Sequence, residues 1–108
     1  MKVLAIIQAR MGSTRLPGKV LRDLQGKKIL EIIIERVSMS DYIDQIAVAT
    51  STESQDDLIE AWCASKHLAC FRGSEDDVLD RFYKTASYYN GELIVRITAD
   101  DPLKDSKI

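Results

Sequence analysis

Lys2-Val3-Leu4-Ala5-Ile6-Ile7-Gln8-Ala9-Arg10-Met11-Gly12-Ser13-Thr14-Arg15-Leu16-Pro17-Gly18-Lys19 joins two segments of opposite character. Val3 to Ile7 is a nearly continuous apolar run, too short for a free-standing helix, and reads as a strand buried on both faces. Gly12, Ser13, Pro17 and Gly18 then break every regular pattern, which makes Ala9 to Gly18 a loop of ten residues. Strand-to-helix connections usually take about two to six residues, and longer ones in compact domains tend to carry function.

Outward from that stretch the chain alternates. Lys19 to Leu24 has room for a short helical turn, and Gly26-Lys27 makes another break. From Ile29 the spacing becomes helical: Leu30, Ile33, Ile34 and Val37 share one stripe, opposite Glu31, Glu35 and Arg36. Gln45 to Thr50 is a second apolar strand. Thr52 with Gln55 has the form of a capping box for a helix that buries Leu58, Ile59, Trp62 and Cys63. Leu68 to Phe71 is a weaker third strand. Ser74 is placed to cap the next helix, with Glu75, Asp76 and Asp77 in its first turn, Val78, Phe82, Ala86 and Tyr89 as its apolar stripe, and an Asp77–Arg81 pair one turn apart. Asn90-Gly91 ends that helix, and Leu93 to Thr98 is a fourth strand. Such alternation demands a parallel sheet with right-handed crossovers. The expected fold is therefore α/β, a Rossmann-like parallel sheet with flanking helices. The fourth strand has no crossover after it, so residues 1–108 are expected to form a single α/β domain that is incomplete, a fragment of a longer chain.

Composition sets the outer limits. The 108 residues are 45% apolar and 30% charged, with a net charge of −2, which excludes disorder. No apolar run approaches the ~20 residues of a membrane span, and the N-terminus is strand-like rather than signal-like, so a cytoplasmic protein with no membrane partner is expected. Cys63, Cys70 and the single histidine, His67, fall short of a four-ligand zinc site, and the cysteines read as reduced, packed thiols. Charge is uneven along the chain: residues 1–28 carry a balance of +6 and residues 51–80 one of −6. No basic run or aromatic-interleaved basic helix supports nucleic-acid binding, and a small anionic ligand suits the basic segment better.

Three segments carry chemistry. In the first loop, glycines let backbone N–H groups approach phosphate oxygens while Arg10, Arg15 and Lys19 neutralise charge, a combination suited to a polyphosphate. It is not a Walker A loop: five residues separate Gly12 from Gly18, and Val20 stands where a magnesium-binding hydroxyl belongs. Arg96-Ile97-Thr98-Ala99-Asp100-Asp101-Pro102 puts carboxylates at the end of the fourth strand. If the strands order 3-2-1-4, that acidic tip faces the basic loop, where it would hold Mg²⁺ beside phosphates or simply form an Asx-type turn. Arg72 to Tyr83 is explained by helix capping without invoking function. Trp62, Phe82, Tyr83, Tyr88 and Tyr89, at helical spacing, read as core or half-buried surface rather than a base-stacking platform.

At these three segments the sequence resembles the sugar cytidylyltransferase (CMP-sugar synthetase) family, closest to its spore-coat polysaccharide biosynthesis branch. The motif Ile7-Gln8-Ala9-Arg10-Met11-Gly12-Ser13-Thr14-Arg15-Leu16-Pro17-Gly18-Lys19-Val20-Leu21 carries the likeness, with Arg72 to Tyr83 and Arg96 to Leu103 following in the family's order. Relatives include enzymes that activate 3-deoxy-octulosonate and sialic acids as CMP-sugars. The resemblance implies a nucleotide-diphospho-sugar transferase type of fold in which Ala9, Arg10, Met11, Gly12, Ser13, Arg15 and Lys19 bind the nucleotide. Arg10, Arg15 and Lys19 would hold the CTP triphosphate, Arg10 and Lys19 acting in catalysis, while backbone near Ala9 and Arg10 reads the pyrimidine. Ser74 would contact base or ribose, and Asp100 would bind Mg²⁺. Asp101 falls at a variable position, and Lys104 replaces a usually apolar residue. Family members are longer, so the resemblance implies that residues 1–108 are a single nucleotide-binding α/β domain, the N-terminal part of a longer enzyme whose remainder would supply sugar contacts, a homodimer surface and a further metal carboxylate.

The implied activity is transfer of CMP from CTP to a sugar for polysaccharide or surface-glycan biosynthesis, with release of pyrophosphate. The alternatives are a nucleotide-sugar glycosyltransferase, which would normally show an Asp-x-Asp pair, and a non-catalytic nucleotide-binding module.

Overall fold

The computed structural model describes residues 1–12, 21–24 and 26–98, with Leu24 as backbone alone. Its main sheet contains β1 (Val3–Gln8), β4 (Gln45–Ser51), β5 (Ala69–Gly73) and β6 (Leu93–Thr98), all parallel, in the order β5-β4-β1-β6. This is the 3-2-1-4 order of the four main strands that the facing of acidic tip and basic loop takes as its condition, with the first and fourth strands as neighbours. Two short strands, β2 (Asp23–Leu24) and β3 (Lys27–Lys28), form an antiparallel ladder ahead of α1 (Ile29–Ser38). Helices α2 (Asp57–Ser65) and α3 (Val78–Tyr88) complete the crossovers.

β1 lies between β4 and β6, and Leu4 to Ile7 are fully buried, as its unbroken apolar run requires. The strand's alternation divides the core. Ile7 and Ala9 join Val48, Ile29, Leu30, Ile33, Ile59 and Cys63 beneath α1 and α2. Leu4 and Ile6 join Ala47 and Ala49, covered by Phe82, Ala86 and Tyr89 of α3. Fully burying an aliphatic side chain contributes about 1.5–3 kcal/mol, so this two-faced strand anchors both layers. β6 is an edge strand: Leu93 and Val95 remain exposed on it. Leu93–Thr98 pairs in register with Val3–Gln8 and so brings the end of β6 beside the end of β1.

Several local expectations change. Asp23-Leu24 is a strand rather than part of a helical turn. Gly26, at φ +90°, supplies the left-handed conformation that reverses the chain, and Lys28 pairs with Asp23 at 3.0 Å. The Thr52–Gln55 capping box does not form. A 3₁₀ turn at Ser54–Asp56 precedes α2, so the helix starts at Asp57 and turns Leu58 outward, 59% exposed, with Ile59 and Cys63 inward. The helix ends with His67 at φ 58° and the Leu68 N–H donating to the Cys63 carbonyl at 2.9 Å, which moves the following strand to Ala69–Gly73. Trp62, Phe82 and Tyr89 are partly buried as expected, whereas Tyr83 and Tyr88 are exposed.

Candidate functional site

The candidate site forms where the chain leaves the C-terminal ends of β1, β4, β5 and β6. The Ala9 N–H donates to the Ala49 carbonyl at 3.0 Å, which extends the ladder one residue beyond β1 and leaves Ala9 3% exposed against the α1/α2 core. Arg10 then turns away, and its guanidinium lies 3.7 Å from the Glu75 carboxylate in the β5–α3 turn. The Met11 N–H donates to Asp56 Oδ1 at 2.7 Å. Gly12 runs directly under Gln55: a Cβ there would stand 2.5 Å from Gln55 Nε2. Of the candidate residues, Ala9, Arg10, Met11, Gly12 and Ser74 converge at this end of the sheet. Ser13, Arg15, Lys19 and Asp100 lie outside the described residues.

Ser74 does not cap α3. That role falls to Asp77, which accepts from the Asp80 N–H at 2.9 Å, while the Ser74 hydroxyl accepts from the Asp77 N–H at 3.0 Å. Glu75, Asp76 and Asp77 therefore precede the helix instead of filling its first turn. The expected Asp77–Arg81 pair is also replaced. Arg81 is 2% exposed and donates inward, to the Ser74 carbonyl and to Gln8 Oε1, both at 3.0 Å. Gly73 permits this, since a Cβ on it would meet Arg81 Cγ at 3.0 Å and its Cα at 3.3 Å. Burial and the nearby Arg10 pull the Arg81 pKa below the ordinary guanidinium value, with Asp56 opposing.

Polar side chains that sequence patterns did not single out hold the site together. Asp56 is 1% exposed and accepts from the Ser51 hydroxyl as well as from Met11. Arg72 donates to the Ser51 and Glu53 carbonyls at 2.8 Å and pairs with Asp57 at 2.7 Å and Glu60 at 2.9 Å. Desolvation opposes its charge, but the two carboxylates outweigh it and raise its pKa. Among the described residues, buried Gln8 Nε2, Arg81 Nε and Thr50 Oγ1 have no hydrogen-bond partner. Gln8 was legible only as the polar residue ending an apolar strand, and Arg81 as one of a helix's charges. At the mouth, desolvation and a hydrogen bond with Glu53 raise the Glu75 pKa, Asp76 adds to the shift and Arg10 counters it.

Chemistry elsewhere is sparse. Cys63 and Cys70 are free thiols, as expected. His67 lines an open depression of about 370 Å³ with Asp44, Gln45 and Leu68, at the opposite end of the strands. Arg96 sits over the Phe82 ring, 5.9 Å from its centroid, on the α3 face. Among the described residues no three His, Cys, Asp or Glu side chains gather into a metal site, and no helix is long and apolar enough to cross a membrane.

A family model described as "Cytidylyltransferase" matches residues 4–108. The chain belongs to this cytidylyltransferase family. It is 46% identical over 110 residues to the spore coat polysaccharide biosynthesis protein SpsF of Bacillus subtilis, covering 98% of this chain and 46% of that protein. It is 35% identical over 104 residues to the 3-deoxy-manno-octulosonate cytidylyltransferase of Solibacter usitatus, covering 96% and 40%. The fold matches the structure of a cytidylyltransferase from Leptospira borgpetersenii serovar Hardjo-bovis with a TM-score of 0.87 and 42% identity, over 95% of this chain and 43% of that one. This cytidylyltransferase chain thus spans less than half the length of these relatives.

Proposed function

We propose that this chain is the nucleotide-binding part of an enzyme that transfers CMP from CTP to a sugar for glycan biosynthesis. The observation that carries the reading is the convergence of Arg10 and the Met11–Gly12 backbone with the Ser74–Asp77 turn at the C-terminal ends of β1 and β5, across the intervening β4, the end of a parallel sheet at which α/β folds bind nucleotides. In the reaction a sugar hydroxyl attacks the α-phosphorus in line and pyrophosphate leaves. The chain's own contribution is positioning and charge neutralisation: Arg10, Arg15 and Lys19 hold the triphosphate, with Arg10 and Lys19 stabilising charge as it develops. Ala9, Met11, Gly12 and Ser13 present backbone to the nucleotide, and Ser74 contacts base or ribose. Asp100 is the proposed ligand for Mg²⁺, which when bound supplies Lewis-acid stabilisation of phosphate oxygens. The full-length enzyme is proposed to be a cytoplasmic homodimer.

Calorimetric titration with all four nucleoside triphosphates tests the nucleotide half of this reading, with CTP expected to bind tightest. Equal affinities would remove the pyrimidine assignment. Lys19→Ala should weaken CTP binding about 10- to 150-fold, the worth of one charge-assisted phosphate contact, with little change in melting temperature. Pyrophosphate release by the full-length protein with CTP, Mg²⁺ and a panel of acidic sugars tests the reaction. CTP binding with no release for any sugar would favour a non-catalytic module.

A further inference from the structure

We infer that Asp56 is the positioning residue of the β1 loop, and that it acts as a hydrogen-bond acceptor rather than as a charge. This rests on the reading that the loop holds a triphosphate. A carboxylate beside a polyphosphate site is electrostatically adverse, because like charges in a partly desolvated region repel strongly. Yet Asp56 is 1% exposed, and its two oxygens are fully directed: one accepts the Met11 N–H at 2.7 Å, the other the Ser51 hydroxyl. Ser51 is itself fixed, since its hydroxyl accepts from the Glu53 N–H at 3.1 Å and its carbonyl accepts from Arg72 at 2.8 Å. The chain of contacts therefore runs from the rigid end of β4, through Ser51 and Asp56, to the first loop residues after β1.

Its consequence is geometric. Ala9 is tied to β4 by backbone, Met11 by Asp56, and Gly12 passes under Gln55, so Arg10 is held between two fixed points. A loop backbone fixed in this way meets its ligand without paying its own ordering cost at the moment of binding. What the loop requires of residue 56 is an oxygen at the Met11 N–H, a requirement that asparagine also meets.

The test compares Asp56→Ala, Asp56→Asn and Ser51→Ala with the wild type, using titration with inorganic tripolyphosphate and with CTP, hydrogen exchange at the Met11 amide, and thermal melting. Asp56→Ala should expose the Met11 amide to exchange and weaken both ligands about tenfold, the equivalent of roughly 1.4 kcal/mol. Asp56→Asn should recover most of the affinity and the Met11 protection, and Ser51→Ala should lie between. Should Asp56→Ala not fold, Asp56→Ser serves instead, its hydroxyl being too short to reach Met11, with the same result expected. The inference is overturned if Asp56→Ala binds tripolyphosphate like the wild type, or if Asp56→Asn is as weak as Asp56→Ala, which would make charge the active property. Failure of the wild type itself to bind either ligand is a different outcome: it removes the triphosphate reading and this inference with it.

Discussion

Two strand-to-helix junctions flank the loop that leaves β1, and they solve the same problem with opposite charges. At the β4–α2 junction a carboxylate is buried: Asp56 faces inward and is satisfied by Ser51 and by the Met11 N–H from another segment. At the β5–α3 junction the acids Glu75, Asp76 and Asp77 lie at the surface side of the turn, and a cation is buried instead, Arg81 against the Ser74 carbonyl and Gln8. Each buried charge bonds one group of its own junction and one brought from β1 or the loop after it: Asp56 accepts from the Ser51 hydroxyl and the Met11 N–H, and Arg81 donates to the Ser74 carbonyl and Gln8 Oε1. Both oxygens of the first buried charge are bonded, although Thr50 Oγ1 beside that junction has no partner among the described residues; at the second, Arg81 Nε itself and Gln8 Nε2 have none, so the buried cation is the less satisfied of the two charges.

The largest expected effect that would sharpen this contrast is Arg81→Ala, which strands the Ser74 carbonyl and Gln8 Oε1 and opens a cavity at a 2% exposed position. Urea denaturation should show a loss of about 2–4 kcal/mol. Arg81→Met keeps the volume and should recover about half of that loss, since a buried charge replaced by an apolar group of similar size is often tolerated. Equal damage from both would mean that the hydrogen bonds alone organise this junction. Next in size is Gly73→Ala, whose Cβ would press on Arg81 backbone at 3.3 Å. A loss of about 1–2 kcal/mol is expected by the same method, and no change would show that the helix yields freely.

Asp77→Ala removes the side-chain cap of α3 and should cost about 1 kcal/mol, with Ser74→Ala changing stability less because its hydroxyl supports only the turn. The reverse ranking would return the capping role to Ser74. The smallest effect is Glu75→Gln. Glu75 titrates above the ordinary 4.5 because of desolvation and its hydrogen bond with Glu53, so the folded chain holds this proton more tightly than the unfolded chain. The associated stability is present in full below pH 4.5 and is lost as pH rises through the folded value. Melting temperature across that window should fall less steeply for Glu75→Gln than for the wild type. Parallel curves would break the link between Glu75 and Glu53.

These junctions also mark where sequence reading stops. An isolated Arg four residues after Asp77 looks like one half of a surface pair, because local spacing is all that a sequence displays. Its true partners, Ser74 and Gln8, are separated from it by 7 and 73 positions, and only the close approach of Gly73 lets the side chain enter. Asp56 was invisible for the same reason. It sits in the acid-rich stretch 51–80, where nothing local distinguishes it from its neighbours, and its contact with Met11 spans 45 positions. Leu58 misled in the other direction, since a 3₁₀ turn before α2 rotates a helix face that periodicity alone assigns inward.

What the sequence determined by itself was the parallel α/β alternation, the doubly buried β1, the helical stripe of α1 and the position of the candidate loop, because periodicity and turn residues act over a few neighbours. The motif within that loop, together with Arg72 to Tyr83 and Arg96 to Leu103, also carried the resemblance to the cytidylyltransferase family, whose model matches residues 4–108. Only the tertiary structure decided which charges go inside, which helix faces turn inward and which residues hold the loop. Burying a charged group depends on partners brought from distant parts of the chain, and the cost or gain of doing so exists only once those partners are in place.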